Sequence, residues 1–237
     1  MTTLSVIIPT LNEAAALPPA VKPLFAAGAT EVVVVDAASA DGTVEVARRL
    51  GCRVVEAEGP GRARQLNLGA ASSRGDLLLF LHADTLVAEA ALETLIETFD
   101  GESDVVGGGF VRVFDSSSLF LKATCRMAAW RNRRFGLFLG DQGMFVRRAV
   151  FDGIGGFNEG LPLGEDVDFS LRMRKAGKTV VLAPPVISSA RRFAKRGAIR
   201  QTCTDFLLAR RLLREFARRE SAVRESAGSC SVAKIEP

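Results

Sequence analysis

The first hundred residues repeat one pattern four times: an apolar run of strand length, a polar break, then a stretch with helical spacing. Residues 4–9, 31–36, 52–57 and 76–81 read as strands, and 13–27, 42–50, 61–72 and 88–99 as the helices that follow them. Gly28 and Gly51 close the first two helices, where a left-handed residue ends the turn. Strands alternating with helices in this way specify an α/β fold, a Rossmann-like, mainly parallel sheet with helices on both faces.

Beyond residue 100 the rhythm changes. A strand over 104–114, a helix over 119–135, a strand over 142–147, a helix over 166–176 and a strand over 178–183 give a mixed second half. Gly107-Gly108-Gly109 lies inside a strand pattern and reads as a bulge or a close approach of backbones. Ile199, Cys203, Phe206, Leu207, Leu213 and Phe216 recur at helical spacing and predict a C-terminal amphipathic helix. The reading is one domain over 1–220, with a nucleotide-binding half (1–100), an acceptor and catalytic half (101–190) and a basic C-terminal helix (191–220). Residues 221–237, without periodicity, are expected to be a disordered tail.

Several classes fall away at once. No apolar run approaches the ~20 residues that span a bilayer. The start lacks the basic, apolar and small-residue order of a signal peptide, so a cytoplasmic location is expected. Four cysteines (Cys52, Cys125, Cys203, Cys230) form no CxxC or Cys/His cluster, and a single histidine, His82, excludes any site that needs two. Residues 191–224 carry eleven Lys and Arg against three Asp and Glu, a charge of +8, so the rest of the chain carries −4 of the net +4. That basic end calls for an anionic neighbour, either substrate phosphates or an acidic membrane surface at the inner face, and a solvated basic helix is the plainer alternative. Nucleic acid is not expected, because aromatic residues are few there and no recognition motif is present.

In open α/β sheets, ligands sit outside the carboxyl ends of the strands. Those ends here carry Pro9-Thr10-Leu11-Asn12-Glu13, Asp36 through Asp41, Gly61-Arg62-Ala63-Arg64 and His82-Ala83-Asp84. Asp41 suits a helix cap, and Asn12 and Ser39 suit turns. Asp84 and Arg62 are harder to absorb, since charges beside a strand exit need partners. A carboxylate at Asp84 could hold a magnesium ion whose other ligands are phosphate oxygens and water; taken alone, it could equally close a turn. GxGxxG and GxxxxGK[ST] are both absent, which removes dinucleotide and P-loop chemistry.

Taken together, the segments Leu4 to Glu13, Val33-Val34-Val35-Asp36 with Ser39-Ala40-Asp41-Gly42-Thr43, Leu79-Phe80-Leu81-His82-Ala83-Asp84 and Gly164-Glu165-Asp166-Val167-Asp168 resemble the family 2 glycosyltransferases of the GT-A fold in order and spacing. The segments 61–67, Gly140-Asp141-Gln142 and 189–193 resemble a bacterial subgroup associated with arsenosugar biosynthesis. The resemblance implies inverting transfer of a sugar from a nucleotide-diphosphate sugar, assisted by magnesium or manganese. Pro9, Thr10 and Glu13 match the segment lining the base, and Asp36 belongs to the same donor-binding set. Asp84 matches the last carboxylate of the DxD-type motif, with His82 in place of its first acidic residue as a second candidate ligand. Asp166 matches the catalytic base. Arg62 and Arg64 fall near a base-side arginine, while Arg191, Arg192 and Arg196 fall where relatives use basic residues on the diphosphate.

Two departures accompany the match: Ala37 stands where a second acidic residue often contacts the base, and His82 leaves the metal with fewer carboxylates. Asp166 opens a helix, where the dipole favours negative charge, although acidic residues are common in first turns for stability alone. For the acceptor, whose identity the sequence leaves unknown, the candidates are Glu165, Asp141 and Trp130; Trp130 is expected either in the core or stacked on a sugar. Three alternatives compete with a cytoplasmic transferase. A sugar-1-phosphate nucleotidyltransferase would want a glycine-rich loop after strand one. A non-catalytic nucleotide-sugar binder is favoured by the two departures, and a peripheral membrane transferase acting on a lipid-linked acceptor by the +8 segment.

Overall fold

The computed structural model describes residues 2–191, 193 and 197–231. Among them the strands are β1 (Leu4–Thr10), β2 (Glu31–Asp36), β3 (Arg53–Glu56), β4 (Leu77–Phe80), β5 (Thr85–Leu86), β6 (Val105–Phe114), β7 (Met144–Arg147) and β8 (Lys178–Ser188). The helices are α1 (Leu17–Ala26), α2 (Thr43–Arg49), α3 (Arg62–Ser72), α4 (Glu89–Gly101), α5 (Leu119–Phe135), α6 (Arg148–Gly153), α7 (Glu165–Ala176) and α8 (Ala198–Ser231), with a 3-10 turn at Gly140–Gln142. The strands join one sheet in the order β3-β2-β1-β4-β7-β6-β8-β5.

β3, β2, β1 and β4 are parallel, whereas β7 runs antiparallel between β4 and β6. β8 is parallel to β6, and the two-residue β5 is antiparallel to β8. The carboxyl ends of six strands and the start of β7 therefore lie along one edge. This edge receives every segment singled out at the strand exits.

Alternation along the strands feeds two cores, because successive side chains point to opposite faces. Leu4, Val6, Ile8, Val32 and Val34 pack with Leu17 and Val21 of α1 and Leu92 and Leu95 of α4. Ile7, Val33, Val35 and Phe80 pack on the other face with Leu66 of α3, Phe151 of α6 and Phe169 and Met173 of α7. There Phe157 stacks on Phe169 at 4.3 Å and meets Phe80 edge-on at 4.9 Å. Such pairs add about 0.5–1.5 kcal/mol each beyond burial. They fix α7 against β4, and thereby the spacing between the two helix and strand ends that carry Asp166 and Asp84.

The glycine run is a close approach, as expected. The β6–β8 register shifts between Val105 and Gly107, and a side chain at Gly108 would overlap the Val180 carbonyl oxygen of β8. Backbone cannot yield as a side chain can, so Gly108→Ala should destabilise the fold by about 3 kcal/mol, the upper end for overpacking. The check is a lowered urea midpoint at unchanged slope; an unchanged midpoint would mean that β6 and β8 separate freely there.

Three elements depart from the sequence reading. α1 starts at Leu17 rather than at residue 13, because Pro18 and Pro19 suit a first turn and disfavour helix before them. β8 continues past residue 183 to Ser188: Leu182 pairs with Phe110 and Val186 with Arg112, so Pro184 and Pro185, which lack N–H groups, fall in the ladder's bulge. α8 runs to Ser231, past the helix end expected at residue 220, in keeping with the helix propensity of Ala222, Arg224, Glu225 and Ala227. Residues 232–237 lie outside the described residues.

Candidate functional site

The loops after β1 and β2 are laced to each other before any ligand arrives. Thr10 Oγ1 donates to Asp36 Oδ1 at 2.9 Å, and Ser39 donates to the same carboxylate through its hydroxyl (2.6 Å) and its backbone N–H (2.8 Å). Asn12 adopts a left-handed φ of 56°, which lets its N–H donate to Ser39 Oγ while its Oδ1 accepts from Ala40 N. Glu13 N donates to Thr43 Oγ1 (3.0 Å) and Ala14 N to Asp41 Oδ2 (3.1 Å). Asp41 also accepts from Thr43 N at 3.1 Å, from one residue before the cap position, which Gly42 occupies instead of the expected Asp41.

This lacing changes the reading of one donor-site candidate. Asp36 is 1% exposed, and its oxygens serve Thr10 and Ser39, so it braces the rim from within. Gln65, buried on α3, adds a second brace by donating to the carbonyls of Thr10 (3.0 Å) and Val35 (2.8 Å). Its only signal in the sequence was its place in the 61–67 segment. Pro9 is half-buried in β1 beside Val35, and Arg64 turns outward to pair with Glu58 at 3.1 Å.

At the centre, Arg191 spans Glu13 (3.1 Å) and Asp84 (2.9 Å), tying the chain after β8 to the ends of β1 and β4. These contacts hold the Arg191 guanidinium above its ordinary range, the bond to Asp84 being the largest cause and Glu13 adding to it. Arg192 and Arg196 lie outside the described residues. Arg62, at the start of α3, contacts His82 Nε2 through its Nη2 and pairs with Glu165 at 3.3 Å through its Nε. Arg62 thus sits between the DxD-like segment and the start of α7. Its guanidinium meets the His82 nitrogen that a metal would otherwise take.

The short turn before β7 completes the cleft. Asp166 accepts from Gly140 N through Oδ2 and from Val167 N through Oδ1, both at 2.8 Å. A side chain at Gly140 would collide with Arg62 and come within 3.1 Å of His82 Nε2, so the absence of one lets the turn close over both. Asp166 is therefore held by Gly140 next to Arg62 and His82, and His82 stands two residues before Asp84. Burial first, and the neighbouring Asp166 second, hold the Glu165 carboxyl above its ordinary range, with Arg62 pulling the other way.

Asp141 is paired with Arg112, a buried β6 residue that no motif flagged. Its backbone carbonyl accepts from Ser188 Oγ at 2.7 Å. Arg131 donates to Asn132 Oδ1 and, at 3.4 Å, to Gln142 Oε1; burial and then the charge of Arg112 lower its pKa. Arg112 Nε, Asp141 Oδ1, Gln142 Nε2 and Asn132 Nδ2 are buried without a hydrogen-bond partner in this cluster. Native proteins seldom leave such atoms unpaired away from a ligand or water. Trp130 does not join them. It is 61% exposed on the outer side of α5, whose inner side buries Leu121, Cys125, Ala128 and Asn132, so neither the expected core position nor a place at the cleft is realised.

The set fits a divalent ion held by one carboxylate. Among the described residues no group of three or more His, Cys, Asp or Glu could form a cage, and Asp84 stands at the cleft with a cationic partner already on it. Magnesium and its like are commonly bound through one or two carboxylates, with substrate phosphates completing the shell.

Residues 5–156 match glycosyl transferase family 2. The chain is 29% identical over 200 residues to glycosyltransferase AglE of Haloferax volcanii, covering 77% of this chain and 65% of that protein. It is 32% identical over 188 residues to a PGL/p-HBAD biosynthesis glycosyltransferase of Mycobacterium tuberculosis, covering 71% and 68%. Among solved structures it is similar to the mannosyltransferase PcManGT from Pyrobaculum calidifontis, in complex with GDP-Man and Mn2+ (TM-score 0.64, 21% identity, 79% of this chain and 56% of that one). It is also similar to TarS 1-349 of S. aureus in complex with UDP-GlcNAc (TM-score 0.57, 19% identity, 79% and 58%). Both likenesses show the GT-A fold. The chain spans about two-thirds of the length of these curated relatives and less than that of the solved chains.

Proposed function

Because this chain belongs to glycosyl transferase family 2, we propose that it moves a sugar from a nucleotide-diphosphate sugar to an acceptor hydroxyl with inversion at the anomeric carbon. The observation that carries the reading is that Asp84 paired with Arg191, and Asp166 held by Gly140 beside Arg62 and His82, stand at one sheet edge, His82 being two residues before Asp84. The acceptor oxygen forms the new bond to the anomeric carbon as its proton passes to the Asp166 carboxylate. The bond from that carbon to the diphosphate breaks, and its electron pair leaves with the nucleoside diphosphate. Direct attack from the face opposite the leaving group inverts the centre.

Asp84 would hold magnesium or manganese, which supplies charge neutralisation on the diphosphate when bound. Arg191 is the described cation best placed to share that task. Glu13, Thr10 and Pro9 line the base side, and Asp141, Glu165, Arg112 and Arg131 surround the acceptor side. The neighbours captured with GDP-Man and Mn2+ and with UDP-GlcNAc support the donor class and the metal. Membership of the arsenosugar-associated subgroup is the finer reading; it rests on the likeness of segments 61–67, Gly140-Asp141-Gln142 and 189–193. We take residues 1–220 as one catalytic unit. Among the described residues no helix is long and apolar enough to cross a membrane, and we keep a cytoplasmic location as part of the proposal.

The test is a melting panel of nucleoside diphosphates and their sugar conjugates with manganese, followed by assay of nucleoside diphosphate release. At ~100 times its dissociation constant, the matching donor should stabilise by about 2.7 kcal/mol, roughly 5–10 °C for a chain of this size. Slow release of its nucleoside diphosphate to water should accompany the shift. A shift without release would favour the non-catalytic binder, and no shift with any base would sink the donor class.

A further inference from the structure

We propose that the outer face of α5, continued by the start of α8, docks on a bilayer containing anionic lipid. α5 carries Lys122, Arg126, Arg131, Arg133 and Arg134 and no acidic residue. A helix packed on a sheet ordinarily turns its apolar stripe inward and a polar face outward. Here the inner side is mostly apolar, and the outer side sets large apolar side chains among its basic ones: Leu119 is 81% exposed, Met127 59% and Trp130 61%, with Phe120 and Phe135 beside them. Trp130 and Phe135 meet edge-on at 5.7 Å, forming an aromatic ledge bordered by Arg133 and Arg134.

A hollow lined by Phe120, Gly197, Ala198, Ile199 and Arg200 carries this surface to α8. There Ile199, Phe206 and Leu207 are at least 62% exposed, among arginines, while Phe216 faces Lys175 of α7 instead. Exposed aromatic and aliphatic side chains ringed by Lys and Arg, with amphipathic Trp at the boundary, describe a helix that lies in a membrane interface. The charge argues against the simplest rival, since a two-fold contact with a second copy would set one wholly basic helix against another. A bilayer satisfies both halves: acyl chains take Leu119, Met127 and Trp130, and headgroup phosphates take the arginines. The inference stands apart from the glycosyl-transfer reading, although the same helix presents Arg131 and Asn132 to the cleft from its inner side.

Trp130 is the chain's one tryptophan and there is no tyrosine, so intrinsic fluorescence reports this face alone. The full chain is titrated with vesicles of phosphatidylcholine containing about one-third phosphatidylglycerol, and with phosphatidylcholine vesicles as the control. The expected result is a blue shift and co-sedimentation with the anionic vesicles only, weakening as salt rises. Met127→Asp should cut partitioning about tenfold, and Arg133→Glu or Arg134→Glu about fivefold each, at an unchanged melting midpoint since all three positions are exposed. No blue shift at low salt overturns the proposal, as does binding that ignores all three substitutions. So does a blue shift produced by protein concentration alone, which would assign the face to a second copy, or one produced by an RNA oligonucleotide and not by vesicles.

Discussion

Asp166→Asn should lower turnover by roughly 10² to 10⁴ while donor affinity changes little, the range over which a positioned general base acts. The substitution suits the question, because an asparagine Oδ1 can still accept from Gly140 N or Val167 N as the carboxylate does, while the amide cannot take the acceptor's proton. The fold should remain: the oxygen replaced by NH2 loses one hydrogen bond near the start of α7, a loss of about 1–3 kcal/mol that a denaturation curve measures separately. Near-normal turnover would remove Asp166 from the mechanism. Residual activity carries further information, because Glu165 stands next to it with a carboxyl held above its ordinary range. A carboxyl with a raised pKa sheds its proton only at higher pH. In the variant the Asp166 charge is gone and burial alone opposes Arg62. If Glu165 served as a substitute base, the residual rate would climb with pH as its carboxyl loses its proton; a flat residual profile would leave Glu165 a positioning residue for Arg62.

Asp84→Ala should abolish the metal-dependent part of donor binding, a loss of at least about 10²-fold, since removal of even an outer partner of a metal ligand costs 10–100-fold. Titration of a nucleoside diphosphate with and without manganese reads this directly, and equal affinity in the two conditions would refute the role of Asp84. Arg191→Ala provides the matching control with a different sign. In the free protein Arg191 occupies the Asp84 carboxylate and bridges it to Glu13, so its removal should strengthen binding of manganese alone. The gain is small, at most about fivefold, because the guanidinium is half-exposed and solvent screens the pair. Binding of the diphosphate with manganese should weaken at the same time, for want of its cation. A parallel fall in both affinities would show that Arg191 organises the site rather than competing for it.

Much of the fold was legible because periodicity is a local property. The four strand-helix repeats, the full length of α5, the close approach at Gly107-Gly108-Gly109 and the position of Asp166 at a helix start all follow from residues near one another in the chain. The departures have both distant and local causes. β8 passes through two prolines because β6 allows a bulge there, and Asp36 turns inward because Thr10 and Ser39 surround it. Trp130 points outward although a lone tryptophan is usually buried, because Cys125, Ala128 and Asn132 already fill the inner side of α5.

The sequence by itself determined that charged and polar residues would stand at the exits of parallel strands, since hydrophobic alternation and helix boundaries are written within windows of a few residues. Only the tertiary structure decided which of them meet. Inserting β7 antiparallel between β4 and β6 delivers Gly140 and Asp141 to the ends of strands that run the other way, where Arg62, His82, Arg112 and Asp166 converge. Such pairings, the Arg191 bridge included, span 20 to 178 positions of chain. They are fixed by strand order and by the burial that enforces it, and no local spacing encodes either.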